Sequence, residues 1–309
     1  MLLARQKWWS IDNLFVGTTK LFALLVFFLV FAIVAALIHA SYPAAQAFGF
    51  EFLTTDTWNP VIGEFSALAA MSGTVLTALI ALVVGVPLSF GIAVFISELA
   101  PAWLKRPLSI TIELMAGIPS IIYGMWGLFV LAPLMAYYVQ PSLHNTLGTI
   151  PVIGHLFSGP MIGIGLFTAG LILAVMVIPL IAAVMQDLLH TVPTVIREAA
   201  YGTGATRWEV IWHVIVPYIR TGLIGSIILG FGRALGETMA VTFVIGNAHK
   251  LTSALFSPGT SISSVIANEF AEATGKLYPA ALLELGLILF FITFIVLACA
   301  RLLLYRYKH

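Results

Sequence analysis

Charge is the scarcest feature of this sequence. Only 9% of its 309 residues are Asp, Glu, Lys or Arg, whereas 61% are apolar or aromatic, and the mean hydropathy is +1.06. A soluble domain carries about 25% charged residues, so this chain lacks the polar groups to cover a surface facing water. Lipid must be its solvent, which places a soluble enzyme, a disordered chain and a nucleic-acid-binding protein far behind. The net charge of +1 points to no polyanionic partner. One cysteine, Cys299, excludes an internal disulfide framework and a cysteine metal cluster. No G-x-x-x-x-G-K-[ST] is present, so any uphill movement must draw its energy from another subunit or an ion gradient. Neither H-E-x-x-H, nor paired histidines at helical spacing, nor G-x-S-x-G occurs. His39, His144, His155 and His249 fall near a predicted outer boundary and read as loop residues. No catalytic set, metal or cofactor is expected.

What the sequence has in abundance is long apolar runs, and a membrane-spanning helix needs roughly 20 such residues. Residues 21–38 form the first run, behind Arg5, Lys7 and Lys20. It exceeds the apolar region of a cleaved signal, about 7–15 residues, and predicts a retained helix. Further helices are expected at about 72–95 (with Pro87 inside), 111–134, 161–185, 221–246 and 279–304. The uncharged stretch between Glu113 and Asp187 needs two of them, because Pro141, His144, Asn145, Pro151, His155 and Pro160 interrupt it. With the N-terminus inside, the cytoplasmic segments hold Arg5, Lys7, Lys20, Lys105, Arg106, Arg197, Arg207, Arg220, Arg301, Arg306 and Lys308, against Lys250 and Lys276 outside. That bias fits six spans with both termini in the cytoplasm. Trp8, Trp9, Tyr305 and Tyr307 fall where interfacial anchors belong. Residues 1–66 read as a first helix and outer loop appended to a five-helix unit at 67–304, with a tail at 305–309.

The expected connector at 187–220 is the most charged stretch. Periodicity around Val195, Ala199 and Ala200 predicts a short amphipathic helix, Gly202 and Gly204 permit a sharp turn, and a second short helix is expected from Trp208 to a stop at Pro217. Such a knob suits docking in a partner's groove better than a plain connector does. Glu198, Ala199, Ala200, Gly204 and Pro217, with Val214 and Val216 for Ile and Leu, resemble the E-A-A-x3-G-x9-I-x-L-P signature of bacterial ABC importer permeases. I-P-S-I-I-Y-G-M-W-G-L-F-V-L-A-P from Ile118, G-R-A-L-G-E-T-M-A-V from Gly232, S-E-L-A-P from Ser97 and A-N-E-F-A-E-A from Ala267 resemble the PstC-type subunit of phosphate importers. The resemblance covers nearly the whole chain. It implies an all-α, type I importer permease fold in the bacterial inner membrane, with a cytoplasmic coupling helix at the signature. The partners it implies are a PstA-type permease, two ATPase subunits and a periplasmic phosphate-binding protein.

Arg233 lies near the middle of the fifth predicted span, where an arginine costs at least ~2.5–3.5 kcal/mol on insertion scales. Glu237, four residues on, shares its helix face and lies within reach of the guanidinium, although Arg before Glu is the poorer order for such a pair. Intramembrane ionisable groups usually mark a substrate path, and a guanidinium offers planar paired donors to a tetrahedral oxyanion. A salt bridge that only fixes helix register is the plainer alternative. Gly232 with Gly236, and Gly222 with Ser226 and Gly230, form small-residue ridges that let another helix approach, which predicts a packed, central fifth span. Glu113 reads as a first-turn carboxylate of the third span, Glu98 and Glu284 as boundary residues. Ile262, Val265, Ile266 and Phe270 predict either a short interfacial helix that docks the binding protein or covers the gate, or a packed loop. Phosphate import leads; a molybdate or sulfate permease, a phosphate-status regulator without flux, and a membrane enzyme follow.

Overall fold

The computed structural model describes residues 2–151 and 154–306, with side chains described for 12–151 and 154–302. Among these, six helices are long and apolar enough to cross a membrane: Asp12–Phe48, Leu68–Leu99, Ser120–Thr146, Leu166–His190, Arg207–Leu235 and Leu277–Leu302. The anchoring expected of Trp8, Trp9, Tyr305 and Tyr307 lies outside the described side chains. The number of spans is the one the apolar runs predict, while their ends shift for local reasons.

The third span starts at Ser120 instead of residue 111. Ala102–Ala116 is a separate amphipathic helix, closed at Gly117 and Pro119. Proline has no N–H to continue a helix and pushes the residue before it out of helical geometry. Glu113 therefore sits exposed near the C-terminal end of that short helix, not in the first turn of a span. The fifth span differs at both ends. The stop expected at Pro217 does not occur: Val210–Ile215 form a wide turn in which Val216 N–H bonds the Ile211 carbonyl five residues back. That turn lets Pro217 enter within the first two positions of Val216–Leu235, where a missing N–H is tolerated. At its other end the helix stops at Leu235, well short of residue 246.

The fourth span, rather than the fifth, is the central helix. Its apolar window is 61% buried, against 22% for the fifth and 0% for the first. It packs most extensively on the second span, where Gly170 receives Ile80 and Gly85 lies against Val177. Ser89 of the second span also donates to the Ile178 carbonyl at 3.2 Å. Small residues at these contacts let the two backbones approach, which is how helices associate when lipid supplies no hydrophobic drive. On the fifth span, Gly222 takes Leu188 and Gly230 takes Ile181. The first span lies beside the sixth.

Helix order puts Lys105, Arg106, Arg197 and Arg207 at one end of the bundle, called here the basic end. At the opposite end a second core joins Phe52 and Phe65 to Ile262, Val265, Ala281 and Leu285. The helix expected around Ile262 is Ile262–Glu269, and Ile262 and Val265 are buried in that core while Phe270 is exposed. It packs inward.

Glu269 at the end of this helix accepts hydrogen bonds from Trp58 Nε1 (2.8 Å) and the Tyr278 hydroxyl (2.6 Å), with His249 Nε2 at 2.8 Å. The Trp58 and His249 rings stack on one another. Burial raises the Glu269 carboxyl, but the contacts from His249, Tyr278 and Trp58 outweigh it and hold the group below its ordinary value. A carboxyl that titrates lower when folded contributes stability that is full above its free value and is lost as pH falls through the folded one. Trp58 emission should therefore shift as pH falls below the ordinary carboxyl value of 4.5. Glu269→Gln should show the shifted emission already at neutral pH; unchanged emission in that variant would detach Trp58 from Glu269.

Candidate functional site

Two regions hold the residues singled out from the sequence. The first is the break in the fifth span. Its helix ends with Gly236 N–H on the Gly232 carbonyl (3.3 Å) and Glu237 N–H on the Ala234 carbonyl (3.4 Å). Gly236 takes φ −90° and ψ 0°, Glu237 and Thr238 leave the helix, and one further turn follows at Met239–Thr242. Because the helix stops, Arg233 and Glu237 do not share a face. Among the described residues no ion pair joins them, so the intrahelical pair expected from their spacing is absent. Glu237 Oε1 instead accepts the Ala240 N–H at 3.3 Å, and its carbonyl accepts the Ser263 hydroxyl at 2.6 Å.

Arg233 occupies the last turn of the helix, where the dipole favours a cation. It is exposed on the surface of this chain, as is Gly236. Depth follows from the fourth span, which runs antiparallel to the fifth. Gly230 sits against Ile181, so Arg233, three residues or roughly 4.5 Å further on, lies near the level of Val177 and Ile178. That is the middle of Leu166–His190. Irregular backbone at membrane depth is tolerated only where protein buries it or where it borders a watery cavity.

Among the described residues, Gly232 and Gly236 pack no helix closely. A Cβ on Gly232 would meet only Leu297 at 3.8 Å, and one on Gly236 only the Gly232 carbonyl. Gly236 is already past the helix end, so the two cannot form one ridge. Close packing falls to the other ridge, at Gly222 and Gly230.

The second region is a hairpin at the basic end. Thr194–Gly202 is a short helix with no buried residue. Glu198 and Ala199 face outward with Val195, while Ala200 turns toward the core. Gly204 has φ +88°, the left-handed conformation that glycine adopts without strain, and a Cβ there would meet nothing within 4 Å. Thr206 and Glu209 then start the fifth span with a reciprocal capping box. Pro217 lies ten residues beyond Arg207, the start of that helix, and is exposed.

The profile of the binding-protein-dependent transport system inner membrane component family matches residues 85–309. The chain is 56% identical to the phosphate transport system permease protein PstC of Pasteurella multocida, over 96% of this chain and 92% of that protein. Identity to the PstC protein of Haemophilus influenzae is also 56%, over 97% and 94%, and to that of Mesorhizobium japonicum 52%, over 96% and 90%. This chain belongs to the PstC family of phosphate transport permeases. Solved structures share its fold: a chain of a bacterial alginate ABC transporter (TM-score 0.60, 16% identity, 95% of each chain) and one of the MetNI methionine ABC transporter (TM-score 0.54, 17% identity, 82% and 97%). The architecture is that of a type I ABC importer permease.

In this PstC-family chain, three features of the two regions escaped sequence reasoning. The T-x-x-E of Thr206 to Glu209 is a readable capping signal. The break at Gly236 was signalled by glycine followed by β-branched Thr238. No local pattern announced the Ser263 bond to Glu237, because 26 residues separate them.

Proposed function

We propose that this chain forms one half of the membrane path of an ATP-driven phosphate importer, with Arg233 and Glu237 on the path and the basic-end hairpin docking an ATPase. The observation that supports it most is the interrupted fifth span. A guanidinium stands exposed at mid-depth beside non-helical backbone, on a surface this chain leaves uncovered. A second permease subunit of the PstA type would complete the enclosure, and Gly232 and Gly236 border the same opening. Phosphate is a tetrahedral oxyanion that accepts the paired donors of arginine. Glu237, held by Ala240 N–H and Ser263, keeps a carboxylate close along the chain, which limits how tightly a passing anion is held. The hairpin presents Val195, Glu198, Ala199 and Gly204 outward, an apolar and charged face suited to a groove on one ATPase subunit. A periplasmic phosphate-binding protein would deliver substrate at the opposite end. Its test is phosphate uptake by the reconstituted complex, which should require ATP, the ATPase subunits and the binding protein together. Uptake without ATP would point to a channel instead.

The proposed orientation places the basic end and both termini in the cytoplasm of a bacterial inner membrane. In a variant with exposed Cys299 replaced, Val61→Cys should label from outside, since Val61 is 93% exposed at the opposite end. Thr203→Cys, exposed on the hairpin, should label only after the membrane is permeabilised. Labelling of Thr203→Cys in intact cells would invert the topology.

A further inference from the structure

We propose that Arg197 and Glu98 form a strut that passes movement of the basic-end hairpin to the second span, and through it to the break at Glu237. The inference rests on the transport reading above and names two positioning residues within it. Arg197 precedes the outward-facing Glu198 on Thr194–Gly202, yet its own side chain turns inward. Its Nη1 lies 2.9 Å from Glu98 Oε1, and the two side chains are only 19% and 11% exposed. Its Nη2 donates to the carbonyl of Leu189, in the last turn of the fourth span. One guanidinium thus ties the hairpin to the ends of two spans. Pairs this shielded are screened by salt far less than exposed ones.

Glu98 stands in the wide last turn of the second span, Phe95–Leu99. Lys105 Nζ donates to the Ser97 carbonyl there, so the end is fixed on both sides. The same span runs to the opposite end, where Thr74 Oγ1 accepts the Ile262 N–H at 2.9 Å and Gly73 abuts the Thr260 carbonyl. Ile262 is followed by Ser263, whose hydroxyl holds the Glu237 carbonyl. A continuous set of contacts therefore runs from the hairpin, along the second span, to the non-helical segment beside Arg233. Only the first link, Arg197 to Glu98, depends on a charge pair, which makes it the link that substitution isolates. The decisive quantity is phosphate transported per ATP hydrolysed.

Glu98→Gln, Arg197→Gln and the double variant would be assembled with their partner subunits in proteoliposomes, and phosphate uptake and ATP hydrolysis measured together. Each single variant should lower phosphate moved per ATP by about threefold or more, within the range that residues along coupling networks produce. ATPase subunits should co-purify at wild-type stoichiometry, and the double variant should be no worse than either single one, as for two ends of one contact. A wild-type ratio in both single variants would overturn the strut, as would additive losses. Reduced ATPase recruitment with an unchanged ratio would also overturn it, leaving a docking role alone. If the wild-type complex itself takes up no phosphate, the transport reading fails first, and that result is distinct from all of these.

Discussion

Arg233→Gln is expected to lower ATP-driven phosphate uptake by about tenfold or more, with the protein still inserted and assembled with its partners. A hydrogen bond to a charged group contributes roughly 1.5–3 kcal/mol, which corresponds to a change of roughly 10- to 150-fold in an equilibrium. Glutamine keeps two donors but loses the charge and the fork. Folding should be indifferent to the change, because Arg233 is exposed and makes no ion pair among the described residues. Removing a cation from membrane depth also relieves an insertion cost. Uptake by the variant complex, measured beside subunit stoichiometry, checks both halves. Normal uptake would move the path elsewhere and return Arg233 to a structural role.

Gly204→Asp is expected to have an effect of similar size by a different route. The φ of +88° at this position disfavours a side chain, while no neighbour among the described residues obstructs one. The membrane helices should therefore remain folded, with the penalty falling on the hairpin's outward face. If that face enters an ATPase groove, burying an unpaired carboxylate costs several kcal/mol, which neutralisation or incomplete burial only partly offsets. A loss of about 2 kcal/mol would already weaken recruitment about thirtyfold. Pull-down of the ATPase and binding-protein-stimulated hydrolysis read the outcome in one preparation. Wild-type recruitment, stimulation and uptake together would remove the hairpin from the coupling role.

The membrane architecture was legible because lipid imposes a composition and a length. Residues 166–190 can hardly be anything except a span. The left-handed turn at Gly204 was legible for a similar reason, since few residues other than glycine accept it and the flanking periodicities end there. Where sequence reasoning failed, the deciding contacts are remote. Gly236 and Thr238 mark a weak point in the helix, but the Ser263 hydroxyl that holds the Glu237 carbonyl outside it lies 26 positions away. The spacing of Arg233 and Glu237 was read as a pair because i and i+4 are neighbours on a helix, and that premise lapses once the helix stops at Leu235. Glu98 looked like a boundary residue for the same reason. Its partner Arg197 lies 99 positions away in sequence, and folding alone brings the two together.

The most direct test of the account is competition in the reconstituted complex. Proteoliposomes holding this chain, its permease partner, the ATPase subunits and the binding protein would be supplied with labelled phosphate and ATP. Arsenate, sulfate and molybdate would be added in turn. The account predicts ATP-dependent uptake that arsenate, a tetrahedral anion of nearly the same charge and protonation, suppresses, while sulfate and molybdate in tenfold excess leave it intact. Uptake of sulfate or molybdate in preference to phosphate, or binding of all partners with no ATP-dependent flux, would contradict it.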